Sequence, residues 1–363
     1  MKRILCAVVA LFAITYTVQA TCTKEVEDYA TYVAKNLPVG TEVLADGVAH
    51  YRLLYKSNRI DVFHVNRKYG KDLIIKPVMA NNTLRGLRST GYFHEKLKDY
   101  ILFVNCIYFN LEQNLPIGLL MSEGEFLSGS VYNRSALIIY EDKFRVSRVS
   151  MNISVNGVKV HNINQPRMSR YFNLMYTSRW GTLAPRTPEN GLQVQVTRDK
   201  VSQVSKSQLA IPVGGYVIVG LYKDLKDFKV GQKVNLSVDT IPTFPGAKYI
   251  VSGGPSILKD HTVHILSTEE KMGAIGTGAY NRTFACVTDD ESLILFTSQG
   301  KGTTLQDEAD VMKKFNCKEG LNFDGGSSTS GYYKGADGKY YVIADTKRLL
   351  PAVLVVKAQQ KYK

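Results

Sequence analysis

From about residue 119 to residue 241 the chain reads as one strand after another, and this tract limits the fold more than any other feature. Short runs rich in Ile, Val and Leu at 136–140, 158–160, 192–196 and 215–220 have strand composition and length. Val155-Asn156-Gly157 places a two-residue hairpin turn between two alternating runs. Upstream, 43–56, 60–66, 73–80 and 101–104 read as strands, and downstream so do 293–297, 321–323, 340–344 and 352–356. Helical spacing is confined to 23–36, with Thr23 as cap, to 83–99, and to 304–316, where Leu305, Ala309, Met312 and Phe315 lie near one face and Lys318-Glu319-Gly320 closes the element. No Pro-, Ser- or Gly-rich linker divides the chain. The pattern predicts an α+β fold: one large, mostly antiparallel, β-rich domain with a few packed helices over residues 41–358, behind a helical lead at 21–40.

The first twenty residues read differently. Met1-Lys2-Arg3 is a basic start, residues 4–18 are mostly apolar, and Val18-Gln19-Ala20 puts small residues at the −3 and −1 positions. This is the pattern of a secretory signal cut after Ala20. The apolar run is shorter than the roughly 20 residues a membrane span needs. A secreted or periplasmic protein, with no stable membrane insertion after cleavage, is expected. Lys and Arg total 46 against 32 Asp and Glu, a formal charge of +14. Such a balance favours a polyanionic partner, whether nucleic acid, anionic lipid or a phosphate-bearing polysaccharide, and export argues against nucleic acid. Arg179, Arg186, Lys301 and Lys334 are candidates for a cationic rim. Without Cys6, the cysteines are Cys22, Cys106, Cys286 and Cys317, which allow three pairings. No CxxC and no zinc-like Cys/His spacing occurs, so neither metal nor cofactor is expected.

The most informative short segment is Leu321-Asn322-Phe323-Asp324-Gly325-Gly326-Ser327-Ser328-Thr329-Ser330. A carboxylate stands at the end of a strand, a Gly pair turns the chain, and hydroxyl residues follow. Backbone N–H groups in such a turn can converge on an anion. The hydroxyls can bond phosphate or sugar oxygens.

This segment resembles the Asn-Leu-Asp-Gly-Gly-Gly-Ser-Ser motif of the phosphodiester glycosidase family, which includes secreted bacterial proteins. Four further blocks are similar to family blocks and stand in the family's order. They are Phe103 to Asn110, with Pro116-Ile117-Gly118 and Glu123-Gly124-Glu125; Ile211 to Val217, with Val230 to Val234; Ser252-Gly253-Gly254-Pro255, with Leu258 and Asp260; and Asn281-Arg282-Thr283-Phe284-Ala285-Cys286. Cys106-Ile107 stands where the family usually has Gly-Gly, Cys286 and Ser327 each replace a Gly, and Thr297-Ser298-Gln299-Gly300 lacks the family's usual Asp. Because the two Gly-to-Cys blocks should meet, the resemblance leaves open either a Cys106–Cys286 disulfide or two separate buried thiols.

The resemblance implies a hydrolase that cleaves the glycosidic bond of a sugar-1-phosphodiester in a glycan or envelope polymer. It implies Asp324 as acid/base or nucleophile, Arg282 as the phosphate holder, bidentate where geometry allows, and Asn105 as a partner of sugar hydroxyls or phosphate. Gly325, Gly326, Ser327, Ser328 and Thr283 would line the substrate, and Asp260 and Glu125 are further carboxylate candidates. Two other readings fit the same residues: a silent phosphoglycan-binding protein, and a glycosidase acting on polysaccharide without phosphate.

Overall fold

The computed structural model describes residues 28–344 and 346–358. The signal-like segment, Cys6, Cys22 and Thr23 lie outside the described residues. Strands make up most of the regular structure and pair almost entirely antiparallel, so the fold is α+β and β-rich. Among the described residues the one exception is the short parallel pairing of Asn162–Ile163 with Leu174–Thr177.

An eight-stranded sheet has the order Glu42–Ala45, Val48–Tyr55, Asn58–Val65, Leu293–Thr303, Tyr280–Thr288, Cys317–Asn322, Ser256–Lys259 and Thr262–Val263. A five-stranded sheet has the order Tyr340–Ala344, Gly331–Lys334, Leu102–Asn105, Ala352–Ala358 and Leu73–Met79. Both sheets thus join early and late parts of the chain. They share one core, in which Phe63, Leu295, Ala285 and Leu321 of the first meet Val104, Leu354, Val356 and Ile75 of the second. The remaining sheets are a two-stranded one of Phe109–Asn110 with Leu115–Pro116 and three built from residues 120–252, one of which buries Val194, Val196 and Ile218 against Ile153 and Val155.

The outer face of the large sheet is covered by the Leu305–Lys314 helix, which packs Leu305, Ala309 and Met312 on Phe284, Phe296 and Ile294. Its start is fixed by a capping box: the Thr304 side chain accepts from the Asp307 N–H, and the Asp307 side chain accepts from the Thr304 N–H. Such a cap is worth about 1 kcal/mol. The expected hairpin forms, with Asn156 and Gly157 both at positive φ between Ser150–Val155 and Val158–Val160.

Several expectations are corrected. The first helix runs Tyr29–Asn36 and is capped by Asp28. The second is only Thr90–Leu97, capped by Ser89, because residues 81–86 form a turn whose backbone bonds to Arg179 and Asn114. Lys318-Glu319-Gly320 does not close a helix but belongs to the six-residue strand Cys317–Asn322. The disulfide joins Cys286 to Cys317, on adjacent strands, and Cys106 is a buried free thiol.

Candidate active site

Three strands bring the motif residues together. Phe323 N–H donates to the Thr283 carbonyl (2.8 Å), and Asp324 N–H donates to the Cys106 carbonyl (2.9 Å). The motif therefore leaves the Cys317–Asn322 strand pinned between the arginine-bearing strand and the end of Leu102–Asn105. A Cβ at Gly325 would stand 2.7 Å from the Asn281 carbonyl oxygen and 3.4 Å from Arg282 Cα, so only glycine lets the turn lie this close. Gly326, at φ +62°, then starts a tight turn, closed by Ser328 N–H to the Gly325 carbonyl (3.1 Å) and Thr329 N–H to the Gly326 carbonyl (3.2 Å).

The Asp324 carboxylate accepts from the Gly325 N–H (3.0 Å) and from the Ser328 hydroxyl. Asp324 keeps a partly open surface. Burial of its carboxyl raises it to about 7, against the opposing pull of those two bonds and the Arg348 charge. Arg348 comes from the segment before the last strand. It donates to Ser327 Oγ from Nε (3.1 Å) and Nη2 (2.9 Å), and Thr346 Oγ1 donates to the Ser327 carbonyl.

Asn105 is buried and its amide is occupied. Nδ2 donates to the Asp324 carbonyl (2.6 Å), while Oδ1 accepts from Thr283 Oγ1 (2.5 Å) and Ser330 N–H (3.2 Å). The geometry gives Asn105 and Thr283 to holding the turn, not to a substrate.

Arg282 lies directly behind Gly325, yet it is only 1% exposed. Nη2 donates to the carbonyls of Ile275 (2.9 Å) and Gly278 (2.7 Å), and Nε to that of Thr303 (3.2 Å). A bidentate grip on phosphate is therefore closed to it. Its backbone N–H donates to Ser298 Oγ (2.9 Å), and the carboxylate that faces its guanidinium is Glu308, with Oε1 3.4 Å from Nε. Glu308 is fully buried, neither of its oxygens has a hydrogen bond, and burial raises it to about 8 although the Arg282 charge opposes this. The sequence carried a signal for it: Glu308 falls on the apolar face that Leu305, Ala309 and Met312 define.

Tyr108 lies within the Phe103 to Asn110 block, and no role is expected of it from the sequence. It is buried with its hydroxyl between the carbonyls of Gly254 (3.0 Å) and Phe323 (2.9 Å), and it accepts from Asn322 Nδ2 (2.6 Å). It ties the Gly253-Gly254-Pro255 segment to the motif.

The remaining carboxylate candidates are elsewhere. Asp260 sits in the exposed turn between Ser256–Lys259 and Thr262–Val263, beside Lys318 at the opposite end of the Cys317–Asn322 strand, about 20 Å along the backbone from Asp324. Glu125 is paired through both oxygens to Arg179 (2.9 and 2.6 Å), in a cleft of about 330 Å³ with Lys76, Lys96 and Glu123. Among the described residues no group of His, Cys, Asp and Glu is placed to hold a metal ion.

The arrangement offers one carboxyl able to exchange a proton near neutral pH, a cation beside it, and hydroxyl and backbone groups around it. Residues 181–357 match the phosphodiester glycosidase family. No curated protein matches the chain by sequence. Among solved structures, a Synechocystis protein superposes with a TM-score of 0.74 at 20% identity, over 85% of this chain and 62% of that one, so this chain spans less than two thirds of its length. A Burkholderia pseudomallei protein classed as a candidate exported protein gives 0.65 at 15%, over 83% and 74%. The catalytic domain of zebrafish N-acetylglucosamine-1-phosphodiester α-N-acetylglucosaminidase gives 0.46 at 12%, over 86% and 83%, and the fold likeness rests on the first two. With the blocks in order and the motif turn formed, residues 181–357 are similar to the phosphodiester glycosidase domain.

Proposed function

We propose that the protein is an exported hydrolase that cleaves the bond between the anomeric carbon of a sugar and the phosphate of a phosphodiester. The observation that carries this reading is Asp324 at the motif turn, a partly open residue whose carboxyl burial raises to about 7 against the bonds from Gly325 and Ser328. In the reaction a water oxygen bonds to C1, the C1–O bond breaks, and the electron pair leaves on the phosphate. Asp324 takes the water's proton as the oxocarbenium-like charge develops. A phosphate leaving group needs less protonation than an alkoxide, so a cation can do much of what a second acid does elsewhere. Arg348, anchored on Ser327, supplies that charge. Arg282 and Asn105 act as positioning residues, and Gly326, Ser327 and Ser328 line the substrate. Export is supported by the N-terminal pattern, and no described helix is long and apolar enough to cross a membrane.

The test compares release of sugar from a sugar-1-phosphodiester with release from the matching aryl glycoside. Turnover of the phosphodiester alone is expected, lost in Asp324→Asn. Equal turnover of both substrates would move the reading to neutral glycosides, and turnover of neither would leave a binding protein.

A further inference from the structure

A second set of ionisable side chains gathers on the face of the large sheet that meets the five-stranded sheet. Arg52 and Asp61 are direct cross-strand partners, with His50 and Arg59 each two residues away and so on the same face. Asp61 is fully buried. Its Oδ1 takes Arg52 Nε (2.9 Å) and His50 Nε2 (2.9 Å), and its Oδ2 pairs with Arg59 Nε (3.1 Å). Glu42 stands 3.9 Å from the other ring nitrogen of His50, and its Oε1 accepts from the Ala336 N–H. One buried carboxylate thus hydrogen-bonds the Arg52 guanidinium through Nε and stands in ion-pair contact with that of Arg59, although Arg59 Nε and Asp61 Oδ2 make no hydrogen bond. Arg59 gives one Nη to the Ile343 carbonyl, while the Arg52 side chain is 47% exposed and the Arg59 side chain 36%. Beside them the Tyr333 ring packs tilted against His50 at 4.5 Å and hydrogen-bonds to Arg52, and Tyr341, 41% exposed, stacks on Tyr333 at 5.4 Å.

This cluster lies on the same end of the sheet as the Asp324 turn. Arg59 is opposite Gln299, the adjoining Gly300 N–H donates to Asn281 Oδ1 (3.2 Å), and Gly325 packs against Asn281. Three strand spacings separate Arg59 from Gly325, about 14 Å. The chain marks the path: Arg59 and Gln299 both donate to the Ile343 carbonyl, and Thr346 and Arg348, a few residues on, bind Ser327.

We propose that Arg52 and Arg59 form a second anion subsite, which takes another phosphate of the same phosphate-bearing saccharide chain while its scissile unit lies at Asp324. Planar guanidiniums oriented by a buried carboxylate suit phosphate oxygens, and the exposed Tyr341 ring offers a face to the intervening sugar. The inference rests on the reading of Asp324 as the reactive centre, and it deepens that reading from a single phosphodiester to a polymer with repeating negative charge.

The experiment measures binding, so it does not need turnover. In an Asp324→Asn background, a synthetic oligomer of hexose-1-phosphate units and a single hexose-1-phosphodiester are titrated calorimetrically, with and without Arg52→Gln/Arg59→Gln. The ratio of oligomer to single-unit affinity is expected to fall about tenfold or more when the pair is removed. Because that change strands Asp61, the same fall is expected with Asp61→Asn added, which keeps the sheet interior neutral. An unchanged ratio, an equal loss for both ligands, or no oligomer binding with the arginines intact would each overturn the proposal. Failure of the parent protein to hydrolyse any phosphodiester would instead count against the proposed function and leave this comparison readable.

Discussion

Glu308 faces the Arg282 guanidinium and Asp324 precedes the Gly325 that packs on the Arg282 backbone, and burial raises both carboxyls, to about 8 and about 7. Their surroundings otherwise differ. Asp324 takes a backbone N–H and a serine hydroxyl, has Arg348 nearby, and is partly open. Glu308 has no hydrogen bond at either oxygen, lies sealed under the Leu305–Lys314 helix, and has Asp307 raising it further. Desolvation alone makes a carboxyl easy to protonate, while hydrogen bonds and an opening make it usable by a substrate. Glu308 can only act through Arg282, which in turn braces the Ile275 and Gly278 carbonyls behind the motif.

The comparison breaks most sharply on activity. Asp324→Asn keeps the size of the side chain and removes its basicity, so turnover of a sugar-1-phosphodiester should fall ~10²-fold or more with the fold intact. Glu308→Gln should lower turnover far less, and a loss as large as that of Asp324→Asn would mean that Glu308 reaches the reaction. Steady-state kinetics on both variants, with circular dichroism as the fold control, decides this.

Stability against pH sharpens the same contrast. Both carboxyls bind a proton more tightly folded than unfolded, since their ordinary values are 3.8 and 4.5. Their contribution is therefore fully present below those ordinary values and is lost as pH rises toward 7 for Asp324 and 8 for Glu308. Unfolding free energy should decline with pH across this window, by up to about 1.4 kcal/mol per pH unit for each group. Denaturant titrations at pH 5, 6, 7 and 8 test it: Glu308→Gln should flatten the curve between 7 and 8, and Asp324→Asn should flatten it only below 7.

Much of this site was legible because its features are local. The Gly pair announces the turn, and the apolar runs at 101–104 and 293–297 announce strands near it, whereas Cys317–Asn322 has neither Ile nor Val to announce it. The roles of Arg282 and Asn105 were not legible, because they depend on which carbonyls and hydroxyls arrive from residues 275–278, 303, 324 and 330. The partner of Arg282 comes from a helix more than twenty residues on, and Arg348 sits in a stretch with no motif at all. The helix expected over 83–99 shows the limit from the other side. Leu84 and Leu87 have the right spacing, but Leu84 N–H bonds to the Arg179 carbonyl and Gly86 N–H to that of Asn114, so tertiary bonds replace the first turns. Cysteine pairing was equally out of reach. Cys286 meets Cys317 because their strands adjoin, a fact of register that one sequence does not contain.

Arg348 provides the next test. It is the cation that the structure adds to the Asp324 side of the comparison, as Arg282 is the cation on the Glu308 side. Arg348→Gln should weaken a phosphodiester more than a neutral analogue, by about tenfold in kcat/KM, consistent with loss of one charge-assisted contact. It should also raise Asp324 slightly, because its charge holds the carboxyl down. An equal effect on neutral and phosphate-bearing ligands would remove Arg348 from phosphate recognition.

The smallest effect separates two adjacent serines. Ser328 is buried and its hydroxyl bonds to the Asp324 carboxylate, while Ser327 is exposed and its hydroxyl only anchors Arg348. Ser328→Ala removes a bond that favours the charged form, so the Asp324 titration should move up and the alkaline shift should show in the pH–rate profile. Ser327→Ala leaves the Ser327 carbonyl bonded to Thr346 and frees Arg348 to move in solvent. An exposed contact of this kind contributes about 0.2–1 kcal/mol, so a change in KM of about fivefold or less is expected, with the pH profile nearly unmoved. A shift in Ser327→Ala as large as that in Ser328→Ala would mean that Arg348 governs Asp324 through its anchor. The boundary between proton exchange and charge support would then run through Ser327 rather than between Asp324 and Arg348.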